Sequence, residues 1–318
     1  MIEINVARKG DCYCIEEALR AVPYRVPAVL RLGEGVYHQK VYCDKKDIKF
    51  IGDHMDKTVI TWSDGAAQPQ KHSIEKMGTF RSYTAFFGGE RVEVENMTII
   101  NAVSQVMRGG QGLAAYVDAE VAVFRNVRLL GHQDTLFCAP LPDKENLAGG
   151  FSGPRELAPR MANKQYYVDC IIQGDVDFIF GGADAVFERC TIISGDRGSD
   201  ELNGYVTAPS GKKDGLGLVF KDCKFVSTAA PGTVMLGRPW RPEGKTELIN
   251  CELGAHIHPL GWHKWNSPEE IVCTFAEYGC TGVGADRSGR EPWSLELNSA
   301  DAAALEERVA KHIKDCLK

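Results

Sequence analysis

The segment "YVDCIIQGD" (167–175) decides the fold, because the chain carries five further copies of its pattern. Each copy runs from polar residues through Met, Val or Cys and one variable residue to Ile, Leu or Phe. Short alternating segments of this kind are typical of half-buried β-strands. The other copies are "VENMTIINA" (94–102), "FRNVRLLGH" (124–132), "FERCTIISG" (187–195), "FKDCKFVST" (220–228) and "LINCELGAH" (248–256).

The spacing of the copies favours a solenoid. Their anchor residues are Met97, Val127, Cys170, Cys190, Cys223 and Cys251. Short strands that recur at irregular intervals of 20–43 residues are typical of stacked coils, in which equivalent residues form ladders. No stretch of helical period separates the central strands, which disfavours β-α-β units. We therefore predict an all-β fold, a parallel β-helix with its anchors pointing inward. A β-sandwich is the alternative, and the unequal coil lengths favour the β-helix.

The two ends of the chain differ from the repeats. Residues 11–22 carry apolar residues at helical spacing, which predicts a helix capping the solenoid. Residues 299–318 are alanine-rich and amphipathic, and they predict a terminal helix with Ser299 as its N-cap. Residues 138–164 are rich in Pro and Gly, and so long an irregular segment is usually functional. No linker divides the chain, so we expect one domain over residues 1–318 with an insertion beside the site.

Composition narrows the function classes. The chain has 318 residues, a net charge of −6 and no apolar run of 18 residues, so we expect neither a nucleic acid nor a membrane as partner. Eleven scattered cysteines without paired CxxC motifs predict buried free thiols rather than a zinc site. The first residues lack the pattern of a signal peptide. We therefore expect a cytoplasmic protein, with an extracellular location as the alternative.

Two acids stand out. Asp177 lies within the apolar stretch of "GDVDFIFGG" (174–182), where an ionised carboxylate needs a partner. Arg238 in "LGRPWRP" (236–242) can supply that partner, although the two could also form a purely structural pair. Asp134 in "GHQDTLF" (131–137) could be no more than a turn residue. The chain contains neither the GxSxG motif of serine esterases nor HExxH, which leaves carboxylate chemistry as the candidate.

These three motifs, in this order, resemble those of the pectin methylesterases (pectinesterases). The likeness extends from about residue 4 to residue 297 and includes "LRLGEGVYHQKV" (30–41), "GTFRSYTAFF" (78–87), "GYVTAPS" (204–210) and "HPLGWHKWN" (258–266). It implies a right-handed parallel β-helix, in agreement with the repeat. It also implies an esterase that needs no metal and no cofactor.

The resemblance assigns roles to individual residues. Asp177 would be the nucleophile and Asp134 the general acid and then base. Gln111 and Gln133 would donate to the oxyanion, and Arg238 would orient Asp177. The residues expected to bind substrate are Phe137, Val176, Phe180, Arg197, Tyr205, Trp240 and Thr84.

The expected reaction is hydrolysis of C6 methyl esters of galacturonate residues, with release of methanol. The substrate would be methylated homogalacturonan in pectin, or methylated oligogalacturonides that the cell has imported, and the enzyme would act as a monomer. The missing signal pattern, the odd cysteine count and the insertion together favour short oligogalacturonides over intact pectin. Three alternatives stay open: a non-catalytic uronan-binding β-helix, a pectate lyase or polygalacturonase, and a related esterase or thioesterase that acts on another ester.

Overall fold

The computed structural model of the chain describes residues 1–7, 9–104, 109–161, 163–265 and 272–318. Ala162 of the expected insertion and Asn266 at the end of "HPLGWHKWN" therefore lie outside the described residues. The strands form two sheets, and every pair of neighbouring strands is parallel. Coils stacked in this way make a parallel β-helix, as the repeat predicted.

The smaller sheet carries the residues of the later sections. In spatial order its strands, within the part of the chain that the structure describes, are β4 (Val41–Cys43), β7 (Ala85–Phe87), β9 (Ala115–Val117), β11 (Leu136–Cys138), β14 (Val176–Gly181), β17 (Gly204–Pro209) and β20 (Val234–Gly237).

The larger sheet wraps the rest of each coil. In the described residues its strands are β1 (Ile2–Val6), β2 (Ala28–Leu32), β3 (Gly35–His38), β5 (Asp47–Gly52), β6 (Thr58–Trp62), β8 (Arg91–Asn101), β10 (Val121–Leu130), β12 (Lys164–Val168), β13 (Ile171–Gly174), β15 (Asp184–Glu188), β16 (Thr191–Ser194), β18 (Leu218–Lys221), β19 (Lys224–Ser227), β21 (Lys245–Ile249), β22 (Glu252–Leu253), β23 (Thr274–Tyr278) and β24 (Leu295–Glu296).

Each of the six repeats is a bend in one coil. The residue before each anchor has a positive φ of 51° to 55°, and these residues are Asn96, Asn126, Asp169, Arg189, Asp222 and Asn250. Asn and Asp tolerate this left-handed conformation better than other non-glycine residues, which explains five of the six identities. This shared backbone geometry turns the chain from one face of the solenoid to the next at the same place in successive coils.

The anchors point into the core, as predicted. Val127 stands directly opposite Met97 in the ladder between β10 and β8, and Cys170, Cys190, Cys223 and Cys251 are at most 1% exposed. A column of stacked rings runs beside them. The ring centroids of Phe124, Tyr167, Phe187 and Phe220 follow one another at 5.0, 4.7 and 4.6 Å. Equivalent positions in successive coils therefore pack on one another along the axis.

Helix α1 (Ile15–Ala21) covers less of the chain than the expected 11–22. Cys14 is its N-cap, with extended backbone and a sulfur that accepts from the Glu17 amide, so the preceding residues lie outside the helix.

Helix α2 (Ser299–Cys316) begins where expected, but Ser299 as N-cap was wrong. Asn298 holds that position, because its side-chain oxygen accepts from the amides of Ala300 and Asp301. The helix packs Leu305 and Val309 on the outer face of the larger sheet. In the described part of the chain, no helix is long and apolar enough to cross a membrane.

Candidate active site

Two successive coils bring Asp134 and Asp177 together. Asp177 lies in β14, with a φ of 49°, where the register with β17 shifts between Val176 and Ile179. A bulge of this kind changes the direction in which a side chain points. Asp134 lies in the turn between β10 and β11, with a φ of 65°, and its amide donates to the Val176 carbonyl at 3.0 Å. Main-chain bonding between the coils thus fixes the relative position of the two acids.

Arg238, directly after β20, binds the carboxylate of Asp177 with two hydrogen bonds. Its Nε donates to Oδ1 at 2.9 Å and its Nη2 donates to Oδ2 at 2.6 Å. The guanidinium lies between the rings of Tyr205 and Trp265, each with its centroid 3.8 Å away. Bidentate pairing fixes the carboxylate in one plane, and the two rings fix the guanidinium.

The two acids differ in their electrostatic surroundings. Burial raises the pKa of Asp134 well above its usual range, and the neighbouring charge of Asp177 raises it further. Burial also raises the pKa of Asp177, but the hydrogen bonds and the charge of Arg238 act against that rise. Because Arg238 binds Asp177 directly, a single proton shared between the two acids belongs on Asp134.

Both acids line an open cleft of about 390 Å³ together with Gln111, Gln133 and Arg238. The two glutamines are half-buried and lie in adjacent coils, since the amide of Gly112 donates to the Gln133 carbonyl at 3.0 Å. The rest of the lining is Thr79, Phe80, Asn146, Leu147, Gly150, Phe151, Phe180, Ala208, Trp240, Arg241 and Trp265. The cleft therefore combines two carboxyl groups, two amides and one guanidinium with an aromatic surface.

The family model described as Pectinesterase matches residues 3–141 and 158–315. The chain belongs to the pectinesterase family. It is 34% identical to pectinesterase 31 of Arabidopsis thaliana over 95% of this chain and 89% of that protein. It is 33% identical to the probable pectinesterase/pectinesterase inhibitor 64 of the same plant, over 93% of this chain but only 48% of that longer protein.

Solved structures agree with this family membership. The pectin methylesterase from carrot is 26% identical, with a TM-score of 0.78 over 95% of this chain and 89% of that one. The pectin methylesterase from Yersinia enterocolitica is also 26% identical, with a TM-score of 0.75 over 92% and 96% of the two chains. The predicted family and the predicted parallel β-helix are both confirmed.

Among the residues expected to bind substrate in this pectinesterase, Phe180 and Trp240 line the cleft. Tyr205 is 9% exposed and instead packs its ring on Arg238. Val176 is half-buried at the edge of the same region, where its carbonyl accepts from the Asp134 amide. Tyr205 thus contacts the arginine, and the main chain of Val176 contacts Asp134.

Two of the expected substrate contacts, Thr84 and Phe137, are buried, and a contact of substrate with Arg197 stays a prediction. Thr84 is fully buried and its hydroxyl donates to the Ile100 carbonyl at 2.8 Å, so a contact with sugar was wrong. Phe137 is also fully buried. The rings of Phe80 and Phe180 pack over it, each with its centroid 4.9 Å from that of Phe137, so Phe137 supports the residues that line the cleft. Arg197 lies exposed on the loop between β16 and β17, outside the described lining of the cleft.

Sequence reasoning missed Trp265 and the insertion residues Leu147 and Phe151. Trp265 stacks on Arg238, and the motif "HPLGWHKWN" contained it without indicating that contact. Leu147 and Phe151 come from the segment already expected beside the site, although no local pattern marked them. Their positions depend on how the segment folds back over the coils.

Proposed function

We propose that this pectinesterase hydrolyses the C6 methyl esters of galacturonate residues in homogalacturonan chains and releases methanol. The observation that carries the proposal is the unequal pair of acids in one cleft. Asp177 is bound by Arg238 through two hydrogen bonds, while Asp134 beside it has the more strongly raised pKa. One acid is thereby suited to attack and the other to give a proton.

In the first step, an oxygen of the Asp177 carboxylate attacks the ester carbonyl carbon. Negative charge develops on the carbonyl oxygen, and the side-chain amides of Gln111 and Gln133 donate hydrogen bonds to it. Each well-placed donor of this kind typically lowers a barrier by about 3 kcal/mol. Protonated Asp134 gives its proton to the methoxy oxygen as the C–O bond breaks. Methanol leaves, and an acyl-enzyme anhydride joins the galacturonate to Asp177.

In the second step, water replaces methanol. Asp134, now ionised, takes a proton from the water. The water oxygen attacks the carbonyl carbon of the galacturonate in the anhydride. The bond to Asp177 breaks, the free galacturonate leaves, and Asp134 is again protonated. No metal ion or cofactor takes part in either step. Arg238 keeps Asp177 ionised and oriented before the attack, and it stabilises the carboxylate that is released when the anhydride is hydrolysed.

We further propose that the enzyme acts as one domain and as a monomer, and that it prefers methylated oligogalacturonides to the polymer. The support for the preference for oligogalacturonides is the insertion, whose residues Asn146, Leu147, Gly150 and Phe151 line one side of the cleft. The cytoplasmic location stays a prediction.

The decisive experiment is methanol release from methylated oligogalacturonides in the presence of EDTA, for the wild type and for Asp177→Ala. We expect release that survives EDTA and is lost in the variant. Unsaturated products absorbing in the ultraviolet would instead indicate a lyase, and new reducing ends would indicate a polygalacturonase. If the wild type releases no methanol from any methylated substrate, the cleft serves another ester or only binds, and the proposal is wrong.

A further inference from the structure

The insertion is a feature of this chain that the family model does not account for. The matched ranges stop at residue 141 and resume at residue 158, so residues 142–157 have no counterpart in it. Its middle part nevertheless lines the cleft, with Asn146, Leu147, Gly150 and Phe151. Within the longer irregular segment 138–164, we now restrict the name insertion to residues 142–157 and call residues 145–151 its tip.

The tip is held in one conformation by its own acid. The carboxylate of Glu145 accepts from the Gly149 amide at 3.0 Å and from the Phe151 amide at 3.3 Å. Phe151, only 6% exposed, packs edge-on against Phe80 and against Trp240, with ring centroids 5.8 and 6.2 Å apart. The Phe151 side chain therefore attaches the tip to the cleft, and the Glu145 carboxylate holds the main chain of Phe151 in place.

Three arginines fasten the remainder of the insertion. Arg155 pairs with Asp118, which is half-buried directly after β9. Arg241 donates from Nη2 to the Lys144 carbonyl at 2.8 Å. Arg160 donates to four carbonyls at 2.7 to 3.3 Å, those of Pro142, Arg155, Glu156 and Ala158. Polar contacts on both sides of the tip make it a fixed boundary of the cleft.

Leu147 is the exposed apolar residue of this boundary. Its side chain is 78% exposed although it lines the cleft that holds the two acids. Arg241 also lines this cleft, and its Nη1 and Nη2 donate to main-chain carbonyls, those of Trp240 and Lys144, at 2.8 Å. A galacturonate unit that extends along the cleft past the acids would therefore meet an apolar side chain here.

We propose that Leu147 is a specificity-determining residue that favours a methyl-esterified over a free galacturonate unit beside the one being hydrolysed. This inference rests on the proposed function. A methyl ester gains apolar contact with Leu147, whereas a carboxylate gains no such contact from it. Burial of one methyl group on an apolar side chain corresponds to a preference of about fourfold.

The test compares two oligogalacturonides of equal length, one fully methylated and one with a single ester flanked by free carboxylates. We measure methanol release as kcat/KM per ester. We expect the wild type to have the higher kcat/KM on the fully methylated substrate. In Leu147→Ser, the ratio of the two kcat/KM values should fall by about fourfold. Leu147→Met should retain it, because an apolar side chain remains.

Leu157 provides the matched control. It lies on the same insertion and is 95% exposed, but it is not part of the described lining of the cleft. Leu157→Ser should leave the preference unchanged. If Leu147→Ser and Leu157→Ser give the same ratio as the wild type, the inference is overturned while the esterase proposal stands. If the wild type releases methanol from neither substrate, the esterase proposal itself fails.

Discussion

Asp134 and Asp177 both hold backbone conformations that non-glycine residues rarely adopt, with φ of 65° and 49°. Such conformations cost on the order of 1–3 kcal/mol each and persist only where surrounding structure imposes them. Here the amide of Asp134 is bonded to the Val176 carbonyl, and the amide of Arg238 donates to the Thr207 carbonyl at 3.0 Å. The parallel ladders thus impose backbone geometry on the two acids and on the arginine that binds one of them.

The raised pKa of Asp134 has a consequence for stability. Since the folded protein binds this proton more tightly than the unfolded chain, Asp134 stabilises the fold when it is protonated. That contribution is fully present below the unfolded pKa of about 3.9 and is lost as pH rises through the folded pKa. As the pH rises, the free energy of unfolding of Asp134→Asn should therefore fall less than that of the wild type. Urea midpoints measured across the pH range test this, and parallel curves for the two proteins would contradict it.

Arg238→Met should disturb Asp177 in two ways. Without its cation, the buried carboxylate has an even higher pKa, so the acid limb of the pH–rate profile should move to higher pH. Breaking a buried pair by removing one partner typically costs about 3–5 kcal/mol of stability. Both the profile and the urea midpoint report the change.

The matched control for Arg238→Met is Arg189→Met. Arg189 also binds an aspartate, Asp169, through two nitrogens, at 2.9 and 3.1 Å, but both side chains are about half exposed. We expect a loss of less than about 1 kcal/mol and an unchanged pH–rate profile. If the two substitutions changed the urea midpoint and the pH–rate profile equally, burial of the Asp177–Arg238 pair would contribute nothing to stability or to the pKa of Asp177.

The elements of the solenoid could be predicted from local pattern, because their determinants are local. Alternation marked the strands, and an apolar anchor marked each inward-facing position at the bends. The N-cap of α2 could not be decided in the same way. Asn298 and Ser299 are adjacent residues with similar capping preferences, and only the backbone shows which one accepts from the amides of the first turn.

The outer face of the smaller sheet was predicted less well, for a non-local reason. Alternation shows that Phe137 points away from the core, but not that other coils cover it. The short 3₁₀ helix Thr79–Arg81 brings Phe80 over Phe137, and the insertion adds Phe151 to the same aromatic cluster. Thr84 is fully buried too. Exposure on an outward face depends on loops from distant parts of the sequence, which periodicity does not report.

The column of stacked rings makes a further prediction at this scale. Phe187 is fully buried between Tyr167 and Phe220, with centroids at 4.7 and 4.6 Å and nearly parallel planes. Phe187→Ala would leave a cavity between two coils and should cost about 3–5 kcal/mol. Val226→Ala on β19, where the side chain is 41% exposed, should cost less than about 0.5 kcal/mol. Urea midpoints compare the two, and a similar small loss for both would show that the column can repack.

At the scale of the whole molecule, the insertion separates two open spaces. Its tip lines the cleft with the acids, while residues at its base, Pro142 to Lys144, line a second cavity of about 730 Å³. Arg241 lines both spaces and bonds to the insertion at Lys144. The cleft is therefore bounded by a segment fixed at several points, which limits the paths by which a long chain can approach the two acids.

This boundary leads us to expect higher kcat/KM per ester on methylated trimers to hexamers than on high-methoxyl pectin. A short oligomer can enter the cleft from solvent end-on, whereas a polymer must place a long stiff segment beside the insertion, where Leu147 and Phe151 line the cleft. Replacing residues 146–150 by two glycines should bring the two rates closer together by improving turnover of the polymer. Methanol release at matched ester concentration measures both rates. A strong preference of the wild type for the polymer would show that the chain passes the insertion freely, so that the insertion distinguishes neighbouring substituents without limiting length.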